Sequence, residues 1–179
     1  MWCIYAGSLG PSYDIETVLK CAKKCKANSK EHIKFIICGG GQYAEQAKQV
    51  AKENPNVVFL GSLSPDQLIP IYQYCDIGLC TYASYSTVDM PDKFYDYCAA
   101  GLAIINSLQG EVKDHIQTRQ LGLQYKAGIT DDLYNKIVHF ENKDFLNLCK
   151  KSSFLMGDKF DLENQIQGLV KMIDLITSN

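Results

Sequence analysis

The chain has 179 residues, enough for one domain with a full core and too few for two of ordinary size. A net charge of −2 and a pI near 5.9 provide no basic field, which argues against nucleic acid as a partner. Hydrophobic residues at 46% and charged residues at 21% describe an ordinary soluble globule, and no apolar run reaches the roughly 20 residues of a spanning helix.

Met1 leads straight into Trp2–Ala6, which reads as a first core strand rather than a signal peptide. The turn formers Gly7-Ser8-Leu9-Gly10-Pro11-Ser12-Tyr13 follow, and Asp14 is placed to cap a helix with Ile15, Val18, Leu19 and Ala22 inward. Ile33–Cys38 is a second strand, stopped by Gly39-Gly40-Gly41. A helix over Ala44–Lys52 leads to a third strand, Val57–Leu60, ended by Gly61. Ser64-Pro65-Asp66 opens a helix with Leu68, Ile71 and Tyr72 inward, and Asp76–Tyr82 is a fourth strand.

Past the loop Ala83–Asp89 comes the stretch Met90–Ile105. Phe94, Tyr97, Cys98 and Gly101 recur at helical spacing, and Lys93, Asp96 and Ala100 form a stripe to one side. Asp89 suits the cap, Pro91 the first turn and Gly101 the stop, and Leu102–Ile105 reads as a short buried strand. Gly110-Glu111 opens a helix to about Thr118, and a short strand is predicted over Gly122–Tyr125. Helices are expected over Thr130–Phe140 and Lys143–Ser153. A last amphipathic helix should turn Ile166, Leu169, Val170, Ile173 and Ile176 inward.

Strands apolar on both faces and alternating with helices imply an α/β fold, a doubly wound, Rossmann-like parallel sheet forming a single domain over residues 1–179. Ligands of such sheets bind beyond the carboxyl ends of the strands. The loops at Gly7, Gly39, Gly61, Ala83–Asp89 and Asn106–Gly110 therefore share one rim, together with the start of the helix that carries Lys93 and Asp96. Read from spacing alone, that pair is either a surface i,i+3 ion pair or part of a ligand site.

The eight cysteines do not suggest a disulfide scaffold. Cys3, Cys38, Cys80 and Cys98 sit in apolar runs, where a thiol behaves as a small hydrophobe. Cys21 and Cys25 are four apart on a helix, but no second pair at zinc-like spacing accompanies them, so no metal and no cofactor is expected. Reduced thiols point to the cytoplasm.

Pro91, Lys93, Asp96, Tyr97, Ala99, Ala100, Gly101, Ile104 and Ile105 together resemble the signature of GT-B glycosyltransferases of family 4, once called group 1. The resemblance implies the C-terminal, donor-binding half of a two-domain GT-B architecture, with the N-terminal acceptor domain absent from this chain. It implies a retaining glycosyltransferase of hexosyltransferase type, moving a sugar from a nucleotide-sugar, by preference a UDP-sugar over a GDP-sugar. The acceptor would be a surface polysaccharide, a lipid-linked species or a glycan. The isolated half would be inactive alone, and any peripheral membrane contact would come through the absent domain. By the same resemblance Asp96 contacts the ribose and Lys93 a phosphate. Gly7, Ser8 and Gly10 offer N–H groups to the diphosphate, with Val88, Asp89 and Met90 at the helix start supporting them. Gly61-Ser62-Leu63 offer backbone contacts to the base, with Leu63 against its ring.

Several residues depart from that pattern. Asp96 stands where a glutamate is usual. Ser8, Ser12 and Tyr13 stand where relatives carry cations, and Val88 replaces the first acid of a pair eight positions apart. A valine-type loop followed by Pro-x-Lys is similar to a subset of bacterial polysaccharide-assembly transferases. Glu111 is a further candidate at a loop-to-helix junction. Two other readings fit: half of a nucleotide-sugar 2-epimerase, or a non-catalytic nucleotide-binding relic.

Overall fold

Alternating apolar strands and amphipathic helices build the sheet that their pattern predicts. In this computed structural model, residues 1–161 and positions 166, 170, 173 and 177 are described. The strands are β1 (Trp2–Ala6), β2 (Lys34–Cys38), β3 (Val57–Gly61), β4 (Ile77–Cys80), β5 (Ala103–Asn106) and β6 (Gly122–Gln124). The helices are α1 (Ile15–Ala27), α2 (Ala44–Glu53), α3 (Pro65–Tyr72), α4 (Asp92–Ala99), α5 (Glu111–Arg119), α6 (Thr130–His139) and α7 (Lys143–Phe160). All strand pairings are parallel, in the order β3-β2-β1-β4-β5-β6. This is the doubly wound, Rossmann-like order, and its direction reverses between β1 and β4.

Strand residues alternate between two cores. Cys3, Tyr5, Phe35, Ile37, Ile77, Leu79, Ala103 and Ile105 face the layer that includes α1 and α6. Ile4, Ala6, Ile36, Cys38, Cys80 and Ile104 face the layer that includes α4 and α5. The two-sided burial explains why these strands read as unbroken apolar runs. α7 serves both layers, through Leu146 and Cys149 on one side and Met156 on the other. It runs to Phe160, beyond the predicted Ser153, because Gly157 lets it close on the backbone of α4: a Cβ there would lie 2.9 Å from the Ala99 Cα.

The reversal point is a seam rather than a regular ladder. Pairing between β1 and β4 covers only Cys3↔Ile77 and Ile4↔Gly78. Tyr97 of α4 fills the gap that opens beyond. Its hydroxyl accepts from the Ala6 N–H at 3.1 Å and donates to the Ile4 carbonyl at 3.4 Å. Gly78 makes room, since a Cβ at that position would sit 2.4 Å from the Tyr97 ring.

Local capping differs from expectation in two places. Asp14 makes no side-chain cap for α1. Its carboxylate instead accepts from the Tyr125 hydroxyl at 2.9 Å and the Gly128 N–H at 2.7 Å, tying α1 to the loop before α6. Asp89 does not cap α4, where Pro91 is the N-cap residue. It accepts from the Glu111 N–H at 2.8 Å and so satisfies the start of α5. The tail also departs: Ile166, Val170 and Ile173 are exposed rather than inward, and Leu169 and Ile176 lie outside the described residues. Among the described residues no helix is long and apolar enough to cross a membrane.

Replacing Tyr97 with Phe should cost about 1–3 kcal/mol in chemical denaturation, because it orphans a buried backbone N–H at Ala6 while keeping the ring.

Candidate functional site

The carboxyl ends of β1, β2 and β3 meet in a cavity of about 380 Å³, lined by Gly7, Ser8, Cys38, Gly39, Gly40, Ser62, Leu63 and Leu68. Close approach of backbones shapes it. Gly39 has φ +147°, and a Cβ there would lie 1.8 Å from the Gly7 carbonyl oxygen, so only glycine fits. Successive backbone bonds lock the three loops together: Gly7 N–H to the Cys38 carbonyl at 3.0 Å, Leu9 N–H to that of Gly40 at 2.8 Å, and Gly39 N–H to that of Gly61 at 2.7 Å. The Gly7 N–H is thus spent on the sheet. Those of Ser8 and Gly10 have no partner among the described residues, which leaves two donors for a ligand.

A second clasp covers the seam. Ala83 N–H donates to the Ser12 carbonyl at 3.0 Å, and the Tyr85 hydroxyl donates to that of Pro11. The β4–α4 loop is held down on the β1–α1 loop. Ser107 anchors Tyr82 in turn, accepting its N–H at 2.7 Å and donating to its carbonyl at 2.9 Å.

Under this clasp lies Lys93. One turn of α4 before Tyr97, it points into the same seam and is 7% exposed. Its Nζ lies over the rings of Tyr5 at 4.2 Å, Tyr13 at 4.3 Å and Tyr82 at 4.7 Å. It has no hydrogen-bond partner and no carboxylate among the described residues. Burial lowers its pKa from 10.5 to about 8, against which the Cys80 thiol acts weakly. The ring faces carry the negative side of their quadrupoles toward the ammonium and offset part of that cost. The roof of this cage is Gly7 itself: a Cβ there would stand 3.2 Å from Nζ. A buried, unpaired cation therefore sits one residue beneath the cavity floor.

Asp96 is not in that cavity. It lies on the exposed face of α4, in a cleft of about 510 Å³ with Ile69, Tyr72, Gln73, Ala99, Ala100 and Phe154. The cleft walls shield its carboxyl from water and Asp92, one turn earlier, adds a like charge, so its pKa is raised. Lys93 and Asp96 form no surface pair, since one is buried in the seam and the other faces α3. The i,i+3 ion-pair reading is thereby removed.

The remaining candidates divide. Leu63, Gly7 and Ser8 line the glycine cavity; Gly61, with φ +69°, is not among its lining residues but immediately precedes Ser62, which is, and Gly10 starts the turn that carries Tyr13. Val88 is exposed, and Met90 packs against the second core. Glu111 opens α5 and pairs with His115 at 3.3 Å. Cys21 and Cys25 are both buried, and no group of His, Cys, Asp or Glu among the described residues could hold a metal.

Ser62 lines the cavity beside Leu63. Two features were missed. The tyrosine cage is scattered over positions 5, 13 and 82, and no local spacing links them. Asp92 lies near enough to the cage for its charge to raise the Tyr82 hydroxyl, after burial and two neighbouring groups. Its place in the first turn of α4 was the available signal.

Residues 2–153 match the family described as Glycosyl transferases group 1. No curated protein matches the chain in sequence. Among solved structures, the catalytic domain of cholesterol-alpha-glucosyltransferase from Helicobacter pylori is 18% identical with a TM-score of 0.70, over 90% of this chain and 99% of that one. HepE from Anabaena in complex with UDP and glucose is 16% identical with a TM-score of 0.72, over 97% of this chain and 48% of that one. The pneumococcal O-GlcNAc transferase GtfA in complex with UDP and GlcNAc is 18% identical with a TM-score of 0.71, over 99% and 36%. The chain thus spans about half or less of the length of the latter two. On the match over residues 2–153, joined to a Rossmann-like sheet of the kind that builds GT-B enzymes, this chain belongs to the group 1 glycosyl transferases.

Proposed function

We propose that the chain is the donor-binding half of a retaining glycosyltransferase and that its glycine cavity holds the diphosphate of a nucleotide-sugar, by preference a UDP-sugar. The observation that carries this reading is the unpaired Lys93 ammonium beneath Gly7, adjoining a cavity with an open N–H group at Ser8 and, two residues on in the same loop, another at Gly10. A cation buried without a partner is costly, and a diphosphate is the group that would satisfy it together with two backbone donors. The Anabaena and pneumococcal structures carry UDP, which supports the choice of nucleotide.

Leu63 and Gly61 are assigned to the base, beside the diphosphate loops. Asp96 is assigned to the ribose hydroxyls. It faces α3, the helix whose Leu68 walls the glycine cavity and whose Tyr72 shares the Asp96 cleft. Val88, Asp89 and Met90 carry the chain from the seam to α4, and Asp89 acts by fixing α5 rather than by touching ligand. Catalysis in such a half consists of orienting the donor and stabilising the departing diphosphate, with the acceptor brought by a second domain. A cytoplasmic enzyme acting on a surface-polysaccharide, lipid-linked or glycan acceptor fits this division of labour, with membrane contact through that second domain.

Calorimetry with UDP, GDP and ADP tests the reading: micromolar binding of UDP is expected, and binding of none of the three would favour a relic. Asp96→Asn should weaken UDP about tenfold, a loss on the order of 1.4 kcal/mol for a charge-assisted hydrogen bond to a ribose hydroxyl. An unchanged affinity there, with a loss in Asp92→Asn, would move the ribose role to Asp92.

Lys93→Met should separate binding from stability. The drop from 10.5 to about 8 corresponds to about 3 kcal/mol of stability forgone while Lys93 is charged. Unfolded lysine keeps its proton up to about pH 10.4, so between about 8 and that value the unfolded chain binds more protons and native stability rises with pH. The methionine variant should be more stable than the parent by about 1–3 kcal/mol at pH 7, with a gain that shrinks above pH 8, while UDP affinity falls. Denaturant titrations at two pH values and calorimetry read both effects.

A further inference from the structure

Among the described residues Lys93 is the one buried ammonium, and the groups around it are unusual in kind. From β1 comes Tyr5, from the β1–α1 loop Tyr13, from the end of β4 Cys80 and Tyr82, and from α4 itself Asp92, which acts on the Tyr82 hydroxyl. Burial holds the Tyr5 and Tyr82 hydroxyls well above their ordinary value and pushes the Cys80 thiol up to about 12, so these stay neutral through the physiological range. Lys93 is therefore the group of this cluster whose charge changes near neutrality. The rings that face Nζ carry no formal charge, and the Asp92 carboxylate, which acts on the Tyr82 hydroxyl, makes no bond to Nζ. The cage is thus strong enough to orient the ammonium and too weak to fix its proton.

We propose that Tyr5, Tyr13 and Tyr82 are positioning residues that leave Lys93 conditionally charged, so that a nucleotide diphosphate bound at the glycine rim draws a proton onto it. This deepens the donor-site reading and rests on it. The Gly7 roof is one residue thick, so the field of a diphosphate above it reaches Nζ at short range through a poorly solvated layer. An opposite charge at that range favours the protonated form. The step is a simple equilibrium: a solvent proton joins the free amine of Lys93, no covalent bond of the ligand changes, and the complex gains one positive charge.

The sign follows from the free and bound states. Below pH 8 Lys93 already carries its proton, and binding takes up little. Above pH 8 the free protein has lost it while the complex keeps it, so binding consumes a proton and affinity falls as pH rises. Between about pH 7.5 and 9 the dissociation constant should increase about five- to tenfold, with uptake of about 0.5–0.8 proton at pH 8.5. A site fixed as a permanent cation would show neither.

UDP-glucose is the probe of choice, because its pyrophosphate diester has no phosphate that titrates in this window. Calorimetry at pH 8.5 in two buffers of different ionisation enthalpy counts the protons directly. Lys93→Arg, a permanent cation, should bind with no uptake. Tyr13→Leu removes one wall at a half-buried position and admits water to Nζ. Its uptake at pH 8.5 should fall toward zero and its pH profile should flatten, where a purely structural role for the ring would weaken binding equally at every pH. As a readout without ligand, a carbon NMR titration of the lysine Cε groups should find one midpoint near 8 that is missing in Lys93→Arg. Binding of UDP-glucose to the parent chain with no proton uptake, or a Lys93 midpoint near 10 in the free protein, would overturn the proposal and leave the donor site standing. Failure of UDP-glucose, UDP, GDP and ADP alike to bind would overturn the donor site, and the proposal with it.

Discussion

The backbone N–H of Ala6 organises this molecule. It points across the seam between β1 and β4, where strand pairing has already ended at Ile4↔Gly78, and it would be an orphan without the Tyr97 hydroxyl. Meeting that one donor fixes the rotation and height of α4, because a tyrosine oxygen has to arrive between two strands at hydrogen-bond distance. Gly78 clears the path for the ring, and Tyr72 of α3 buttresses it edge-on at 5.9 Å. Once Tyr97 is placed, the residue four positions earlier has no choice of direction. Lys93 enters the same seam, nearer the carboxyl ends of the strands.

That arrangement turns a packing solution into an electrostatic one. The reversal of strand order is where doubly wound sheets hold their ligands, since crossovers leave the crevice uncovered there. Here an aliphatic stem and an aromatic hydroxyl fill the lower part of the crevice, and an ammonium lies under its mouth. An ordinary core would have placed a methionine or leucine at that height. The folded state tolerates a lysine among tyrosine faces because the rings recover part of the desolvation cost. A site that breaks a packing rule in this way is a candidate for ligand binding.

The sheet was legible because both of its faces are buried: apart from Lys34 at the start of β2 and Asn106 at the end of β5, the runs in β1, β2, β4 and β5 are apolar, and glycines follow β1 and β2. The signature around α4 was also legible, and it led to the right helix. The direction of each side chain on that helix was not. Lys93 and Asp96 lie only about 60° apart around the helix, yet the boundary between seam and surface runs between them, so a stripe drawn through both spans it. Two aspartates were misread for a related reason. Asp14 and Asp89 each precede a helix and look like caps, yet their partners are Gly128, 114 residues away, and Glu111, 22 residues away. A carboxylate beside a helix start advertises that it will bind an N–H, and sequence spacing does not say whose. The Gly7 N–H was lost from the site in the same way, to a carbonyl on β2 that only the sheet register brings near.

The rim and the cage are consequently one unit. Gly7 faces the cavity on one side and Lys93 on the other, while Gly39 holds Gly7 in place through a contact that admits no side chain. Tyr5 closes the loop from below, its ring under Nζ and its hydroxyl donating to the Ser8 carbonyl. A shift of this loop to receive an anion must therefore move the roof over the lysine and the residue that holds the loop down. Ligand geometry above and cation environment below are coupled by covalent continuity over four residues, with no relay required. The asymmetry of the neighbourhood gives that coupling a direction: among the described residues Nζ faces three ring faces and bonds no carboxylate, so an anion bound at the rim would supply a full opposite charge that its nearest neighbours do not.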